Sequence, residues 1–424
     1  MTKLDTSYWH ERAIIILVML GLSFWKTSVL ENYLHGVSVA DISLGLASIL
    51  ILIWFVVTKR DFNIYGHSIY PFYLLFVAVL SGGVLLLQTL GFFSEIEFFK
   101  SLLKIGYYIF ISILLIGFLQ NIPNDKIYDI VLNVLFVLSI IALYVFYALN
   151  NGLELPYGFL YHGSGENYIA NNYYRGSDWV VAKGIFSEPS SMGIFLNLGL
   201  AYLWHTIGFF KERVGAVKYS VIILSIILTF SLTSYVLLFA NLILLVKGRR
   251  NKELLKLSVL AVGVVIIVLF AVNGFELLER AISDRILEKV MSGTDNSTMV
   301  RLLGSWEVPL IIIQKHPILG VGLGNIGTFS EEIKRSLVYG LYGDDGYVVF
   351  AYVLGALGIA GLIIFGGMLA ILMKRNKKSG LIYLLSLFAH GGFVEPVIWI
   401  YYALYVNKKN EVYVNEQNNC SERM

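Results

Sequence analysis

Charge is scarce in this chain: 14% of its 424 residues are Asp, Glu, Lys or Arg, against roughly 25% in an ordinary soluble domain. With 57% hydrophobic residues beside it, that scarcity excludes a solvated globular fold and makes the lipid bilayer the solvent. Cysteine is nearly missing as well. The single one, Cys420, lies in a polar tail, so neither a disulfide framework nor a cysteine-based metal site can be built. No cleavable signal is evident either, because the first apolar run is followed by "KTSVLENYLHG", which lacks a small-residue cleavage site. The net charge of +3 is small, and no nucleic-acid partner is expected; what matters is how the charges are distributed.

Apolar runs near the bilayer-crossing length predict spans at 12–30, 40–58, 68–90, 100–120, 127–149, 188–209, 217–231, 233–247, 255–272 and 347–373. The segment 381–406 is interrupted by "HGGFVEP" and reads as two short passes meeting at a polar turn, tolerable where the turn is buried in protein or faces water. The expectation is therefore an all-α polytopic membrane protein of about 12 spans, or 11 if the last segment crosses once. It forms a single transmembrane domain over 1–424. Basic residues sort onto alternate short connections: Lys59 and Arg60, "KERVGAVK", "KGRRNKELLK", "MKRNKKSG" and "VNKKN". The positive-inside rule makes those connections, both termini and the tail 407–424 cytoplasmic. Two long loops, 150–187 and 273–346, then fall on the periplasmic side, and long ordered loops are where function concentrates.

The first loop is crowded with Tyr, Asn, Gly and Trp, a composition that suits a sugar but equally an interfacial aromatic belt. In the second, Phe275, Leu278, Ile282, Ile286 and Val290 have the spacing of an amphipathic helix. Asp295 to Thr298 offer N-caps for a helix carrying Arg301. Pro309 and Pro317 are expected to break or end the helical run beyond Arg301. "GLGNIG", Gly322 to Gly327, matches the dinucleotide fingerprint, yet that motif needs a strand before it and a helix after it in a βαβ unit. Here its glycines are better explained by tight turns and close backbone approach.

Topology leaves a short set of charges unexplained: Arg175, Lys183, Glu188, Arg301, His316, Asp344 and Asp345. Arginines present forked donors that match a phosphate or pyrophosphate, though each can instead snorkel to lipid headgroups or pair with a carboxylate. Glu188 and Pro189 head the sixth span with Ser187 as a candidate N-cap, and a carboxylate there complements the helix dipole. A glutamate at the lip of a span is also a functional suspect by default. Asp344 and Asp345 stand equivalently before a later span. His316 reads first as a solvated loop histidine, alternatively as a neutral base.

These residues are where the chain resembles the bacterial O-antigen polymerase and ligase group. "GIFSEPSSMGIFL" resembles the polymerase segment G-x-F-x-E-P-S. Arg301 with Trp306 and "KHPILGVGLGN" resembles an arginine preceding an H/D-P-x-x-G-x-G stretch, and "DDGYVVFAYVLGALGIAG" resembles a D/H-N-x-Y segment entering a span. The resemblance covers roughly 175–365 and departs from the pattern twice. Asp345 and Gly346 stand where ligases show histidine and asparagine, and Leu232 replaces the arginine of a serine-arginine pair.

The resemblance implies a GT-C-like membrane glycosyltransferase that polymerises undecaprenyl-pyrophosphate-linked oligosaccharide repeat units at the periplasmic face of the inner membrane. It implies Glu188, Arg301, Asp345 and His316 as catalytic residues. Arg175, Lys183, Asp344 and Tyr347 would bind substrate. No cofactor is implied; two adjacent aspartates can hold a divalent ion in principle, but the resemblance points to none. A flippase and a chain-length regulator are the implied partners. The rivals are an O-antigen ligase, a lipid-linked oligosaccharide transporter, which should show paired halves and midplane charges, and a non-catalytic assembly factor.

Overall fold

A computed structural model describes residues 3–24, 38–60, 69–88, 91–153, 174–175, 179–186, 188–207, 213–246, 304–337, 347–389 and 391–407. The amphipathic pattern near 275–290, the N-caps at 295–298 and the span at 255–272 lie outside them. The described chain is helical apart from one small ladder. In order it runs α1 (Lys3–Ser23), α2 (Val39–Thr58), α3 (Ile69–Gln88), α4 (Glu95–Leu119) and α5 (Asn124–Asn150). The strands β1 (Tyr174–Arg175) and β2 (Trp179–Val180) come next, then α6 (Pro189–Ala201), α7 (Arg213–Ile227) and α8 (Leu232–Val246). The remainder comprises α9 (Ser305–Lys315), α10 (Ile326–Glu332), α11 (Val349–Arg375), α12 (Lys377–Ala389) and α13 (Pro396–Val406).

Among the described residues, α2, α3, α4, α5 and α11 are long and apolar enough to cross a membrane, which is what a polytopic membrane protein requires. Their lipid-type surfaces show the inverse of a soluble protein, with Val56, Val57, Leu87 and Ile363 exposed. The helices alternate in direction, and their basic connections collect at one end. Arg60, just past α2, donates from Nη1 to the Asn121 carbonyl in the α4–α5 turn at 2.9 Å. Arg375, closing α11, donates to the Val406 carbonyl at the end of α13 at 2.9 Å. Tyr70 at the start of α3 meets Gly367 late in α11, while Ser81 further along α3 donates to the Ala356 carbonyl early in α11 at 3.5 Å, so α11 runs antiparallel to α3. The start of α4, the end of α5 and the starts of α6 and α11 therefore lie at the opposite end.

One helix is not what its apolar pattern suggests. The expected span 347–373 is present as α11, but Gly358 sits at φ 64°, ψ −161°, a region essentially reserved for glycine, and breaks it. Breaking a helix inside a membrane frees backbone groups that lipid cannot satisfy. Residues 317–322 supply the partners: Val321 N–H donates to Gly355 O at 3.0 Å and Gly322 N–H to Ala356 O at 2.9 Å. In return Ile359 N–H donates to Pro317 O at 3.0 Å and Ala360 N–H to Ile318 O at 3.1 Å. A Cβ on Gly358 would run into the Ile318 carbonyl, so the close approach depends on that glycine. Part of the expected second loop is thus built into the helical packing, with Val321 and Leu323 fully buried.

Proline needs one correction. Pro309 lies inside α9 and does not break it, buried in the second turn where only one helical bond is forgone. Pro317 does come after the end of that helix. The terminal segment, expected to be interrupted at "HGGFVEP", is two short helices, α12 and α13, separated at that motif, with Trp399 Nε1 donating to the Phe393 carbonyl at 3.1 Å across the turn.

Helices α6, α8 and α12 are sewn together by amides and hydroxyls in place of apolar contact alone, the usual adhesive where lipid removes the hydrophobic drive between helices. The buried Asn197 donates to Gly193 O at 2.8 Å and to Ser234 O at 3.1 Å, and Asn241 donates to Asn197 O at 3.1 Å. Past α6 the chain passes into a π-helical turn, Tyr202–Ile207, whose Thr206 bonds Ser379 of α12 at 2.8 Å.

Candidate functional site

At the end opposite the basic connections, the chain returns from β2 to α6 through residues 181–186. Asn150, the last residue of α5, grips this return on both sides: its Oδ1 accepts from Val180 N–H and its Nδ2 donates to Val180 O, each at 2.9 Å. Ala182 N–H donates to Leu228 O in the α7–α8 turn at 2.9 Å. Gly184, at φ 56°, then turns the chain against Ala142 of α5. Lys183 is carried inward by this packing and is only 1% exposed. Burial disfavours the ammonium and pulls its pKa from 10.5 down to about 8.

Glu188 comes five residues later, half-buried, at the N-cap of α6 in extended conformation with Pro189 at the first helical position. The N-cap position is thus Glu188, one residue after the serine expected there, and Ser187 itself lies outside the described residues. The Glu188 side chain makes no capping bond to the helix amides; its Oε2 accepts from Ser190 Oγ at 3.0 Å. Lys183 and Glu188 thus lie five residues apart on the return into α6, which is held by α5 and by the α7–α8 turn. Leu232, where the resemblance led one to expect arginine, opens α8 beside that same turn and is 39% exposed.

His316 belongs to a second group. It ends α9, donating its N–H to Ile312 O at 2.7 Å, and its ring meets Phe92 edge-on at 5.8 Å. Burial, then the neighbouring Lys315 ammonium, lowers its pKa, so the imidazole is neutral at neutral pH. The glycines after it do what tight turns require: Gly320, Gly322 and Gly324 all have positive φ, and Gly324 packs on the α4 backbone at Glu97. Tyr352 Oη takes the Gly324 N–H at 3.0 Å, and no strand precedes the motif within 304–321. That is a packing loop in place of a nucleotide cradle.

Tyr347 is fully buried at the foot of α11, inside the packing and not on an open wall. Arg175 has its backbone in β1, paired with Trp179. Arg301, Asp344 and Asp345 lie outside the described residues. No cluster of three or more His, Cys, Asp or Glu that could hold a metal occurs among the described residues.

One residue of this region has no role assigned from the sequence alone. Glu395 heads α13 as Glu188 heads α6: extended at the N-cap (φ −120°, ψ 149° against −129° and 144°), followed by proline, and without a capping bond. The repeated Glu-Pro pair, "SEPSS" and "VEPVI", was the available signal. An isolated bridge between Val348 and Gly391 ties the approach to α13 to the segment of Tyr347, and hence to the chain just after Asp344 and Asp345.

Residues 219–366 match the O-antigen ligase family model. This O-antigen ligase match spans less than half of the chain, from within α7 to two-thirds of the way along α11. It takes in His316, the glycine loop and the broken helix, together with Arg301, Asp344, Asp345 and Tyr347; Arg175, Lys183, Glu188 and Glu395 fall outside it. It supports the polymerase and ligase group without separating its two activities. None of the curated proteins compared with the chain matches it.

Proposed function

We propose that the protein is a repeat-unit polymerase: a membrane glycosyltransferase that moves a growing oligosaccharide from its undecaprenyl-pyrophosphate carrier onto the next lipid-linked repeat unit. The observation that carries this reading is the junction of Lys183 and Glu188, a buried cation and a half-buried carboxylate fixed by the same turn. An acceptor hydroxyl oxygen attacks the anomeric carbon of the donor sugar. The bond from that carbon to the pyrophosphate oxygen breaks, the proton of the hydroxyl passes to a carboxylate or imidazole, and undecaprenyl pyrophosphate departs. Because the leaving group is already good, the protein has chiefly to stabilise its charge and orient the acceptor.

Glu188 faces the acceptor hydroxyl in this scheme, with His316 and Asp345 as the other candidate bases. Arg301 holds the pyrophosphate, aided by Arg175 and Lys183, while Asp344 borders the sugar and Tyr347 anchors its segment from within. The reaction takes place on the periplasmic side of the inner membrane, with both termini cytoplasmic, a flippase supplying substrate and a chain-length regulator setting product size. Ligase activity, transfer of a finished glycan to a different acceptor, is the second reading, favoured by the description of the matched family.

Surface polysaccharide on a gel separates them. With Glu188→Gln or Arg301→Ala at normal membrane abundance, loss of the ladder with single-repeat-capped lipid retained supports the polymerase. Loss of every capped form indicates a ligase or a transporter. A normal ladder in both variants removes these residues from the site.

A further inference from the structure

The two Glu-Pro pairs are related in space as well as in sequence. Tyr401 of α13 donates its hydroxyl to the Phe195 carbonyl of α6 at 2.9 Å, and Tyr405 donates to the Leu198 carbonyl at 2.7 Å. These bonds join residues 206 and 207 apart, so the helices run parallel and in register. Glu395 and Glu188 share that same separation of 207. The two helix N-termini therefore stand at matching depth to within about one helical turn, ~5 Å, on neighbouring helices joined by those two tyrosine bonds. Further along the two helices, the Phe195 and Tyr401 rings pack at 6.4 Å, with Phe186 against Phe195 at 5.5 Å.

Neither glutamate caps its helix by a side-chain hydrogen bond, and Glu395 is folded over Gly392, whose φ of 96° keeps that turn open to it. We propose that Glu395 is the second carboxylate of the acceptor site: Glu188 faces the attacking hydroxyl, and Glu395 hydrogen-bonds a neighbouring hydroxyl of the same sugar. This rests on the repeat-unit polymerase reading and adds a substrate-binding residue outside the matched family segment.

The test uses the full-length protein in detergent and the lipid-linked repeat unit accumulated by a strain lacking this polymerase. Donor and acceptor are the same molecule in that assay, so a soluble reducing-end analogue of the repeat unit serves as the varied acceptor. Glu395→Gln is expected to raise KM for the acceptor about 10-fold, the difference between a hydrogen bond to a charged and to a neutral acceptor, with kcat changed much less and melting temperature kept. Glu188→Gln is expected to lower kcat instead. A purely structural role over Gly392 predicts an unchanged KM, because glutamine keeps an oxygen in the same place; that result overturns the pairing. If Glu395→Gln is poorly folded, Glu395→Asp must show the raised KM, and a wild-type KM there overturns the pairing as well. Wild-type protein inert on the lipid-linked repeat overturns the polymerase reading and the pairing together, whereas an active wild type with an unaffected Glu395→Gln overturns the pairing alone.

Discussion

Lys183 is held where water cannot easily solvate its charge, and this makes its contribution dependent on pH. Its pKa of about 8 means that the ammonium is intact below that value and lost above it. If it helps hold a pyrophosphate, transfer activity falls as pH rises through about 8, and Lys183→Arg, charged throughout, removes that descending limb. A rate profile checks this, and an unaltered limb in Lys183→Arg excludes Lys183 as its source. Unfolding does not mimic the effect. A lowered folded-state pKa means the unfolded chain binds more protons between about 8 and 10.5, so this group's contribution to stability increases with pH over that window. For Glu188→Gln the expected loss is of order 100-fold or more in kcat, the usual scale for a positioned base, measured in the same assay. Glu188 was legible because a Glu-Pro pair at the lip of an apolar run is conspicuous. Its relation to Glu395 was not, since a register fixed by two tyrosines more than 200 residues away leaves no local pattern.

Among the elements, hydropathy located the helices well and described their interiors poorly. Helices α2, α3, α5, α8 and α11 begin and end within a few residues of the apolar runs, whereas α6 stops at Ala201 and the expected span 188–209 continues as the π-helical turn Tyr202–Ile207. Helix α4 begins earlier, taking in Glu95 and Glu97, because a helix is free to continue beyond the apolar run once Ser94 caps it and Glu97 pairs with Lys100 at 2.8 Å. The break at Gly358 was hidden for a physical reason. An apolar run stays apolar through a break, and the bonds that repair it come from residues 317–322, well upstream in the chain. Gly358→Ala places a Cβ against the Ile318 carbonyl and forces a disfavoured φ, so a loss of about 1–3 kcal/mol or more is expected. Melting in detergent measures it, and wild-type stability would remove the glycine's claim to be required. Tyr405→Phe, which deletes only the bond to Leu198, should cost about 1 kcal/mol in the same measurement.

For the whole molecule, the near absence of cysteine becomes useful. With Cys420→Ser as background, Arg60→Cys and Glu97→Cys place single thiols at opposite ends of the helical array. The proposed orientation predicts that a membrane-impermeant maleimide labels Glu97→Cys in intact cells and Arg60→Cys only after permeabilisation; the reverse pattern inverts the molecule and removes the candidate site from the periplasm.

The clip at Gly358 also has a bearing on the order in which the chain is made. Residues 317–322 leave the ribosome ahead of the helix whose open bonds they close, and Ser81, which holds Leu319, leaves earlier still. The later half of α11 is therefore born into a groove whose donors and acceptors are already waiting, so synthesis never has to leave a broken helix facing lipid. Moving the same loop behind the helix, as in a circular permutation, would keep every bond of the finished protein and lose that protection during its assembly.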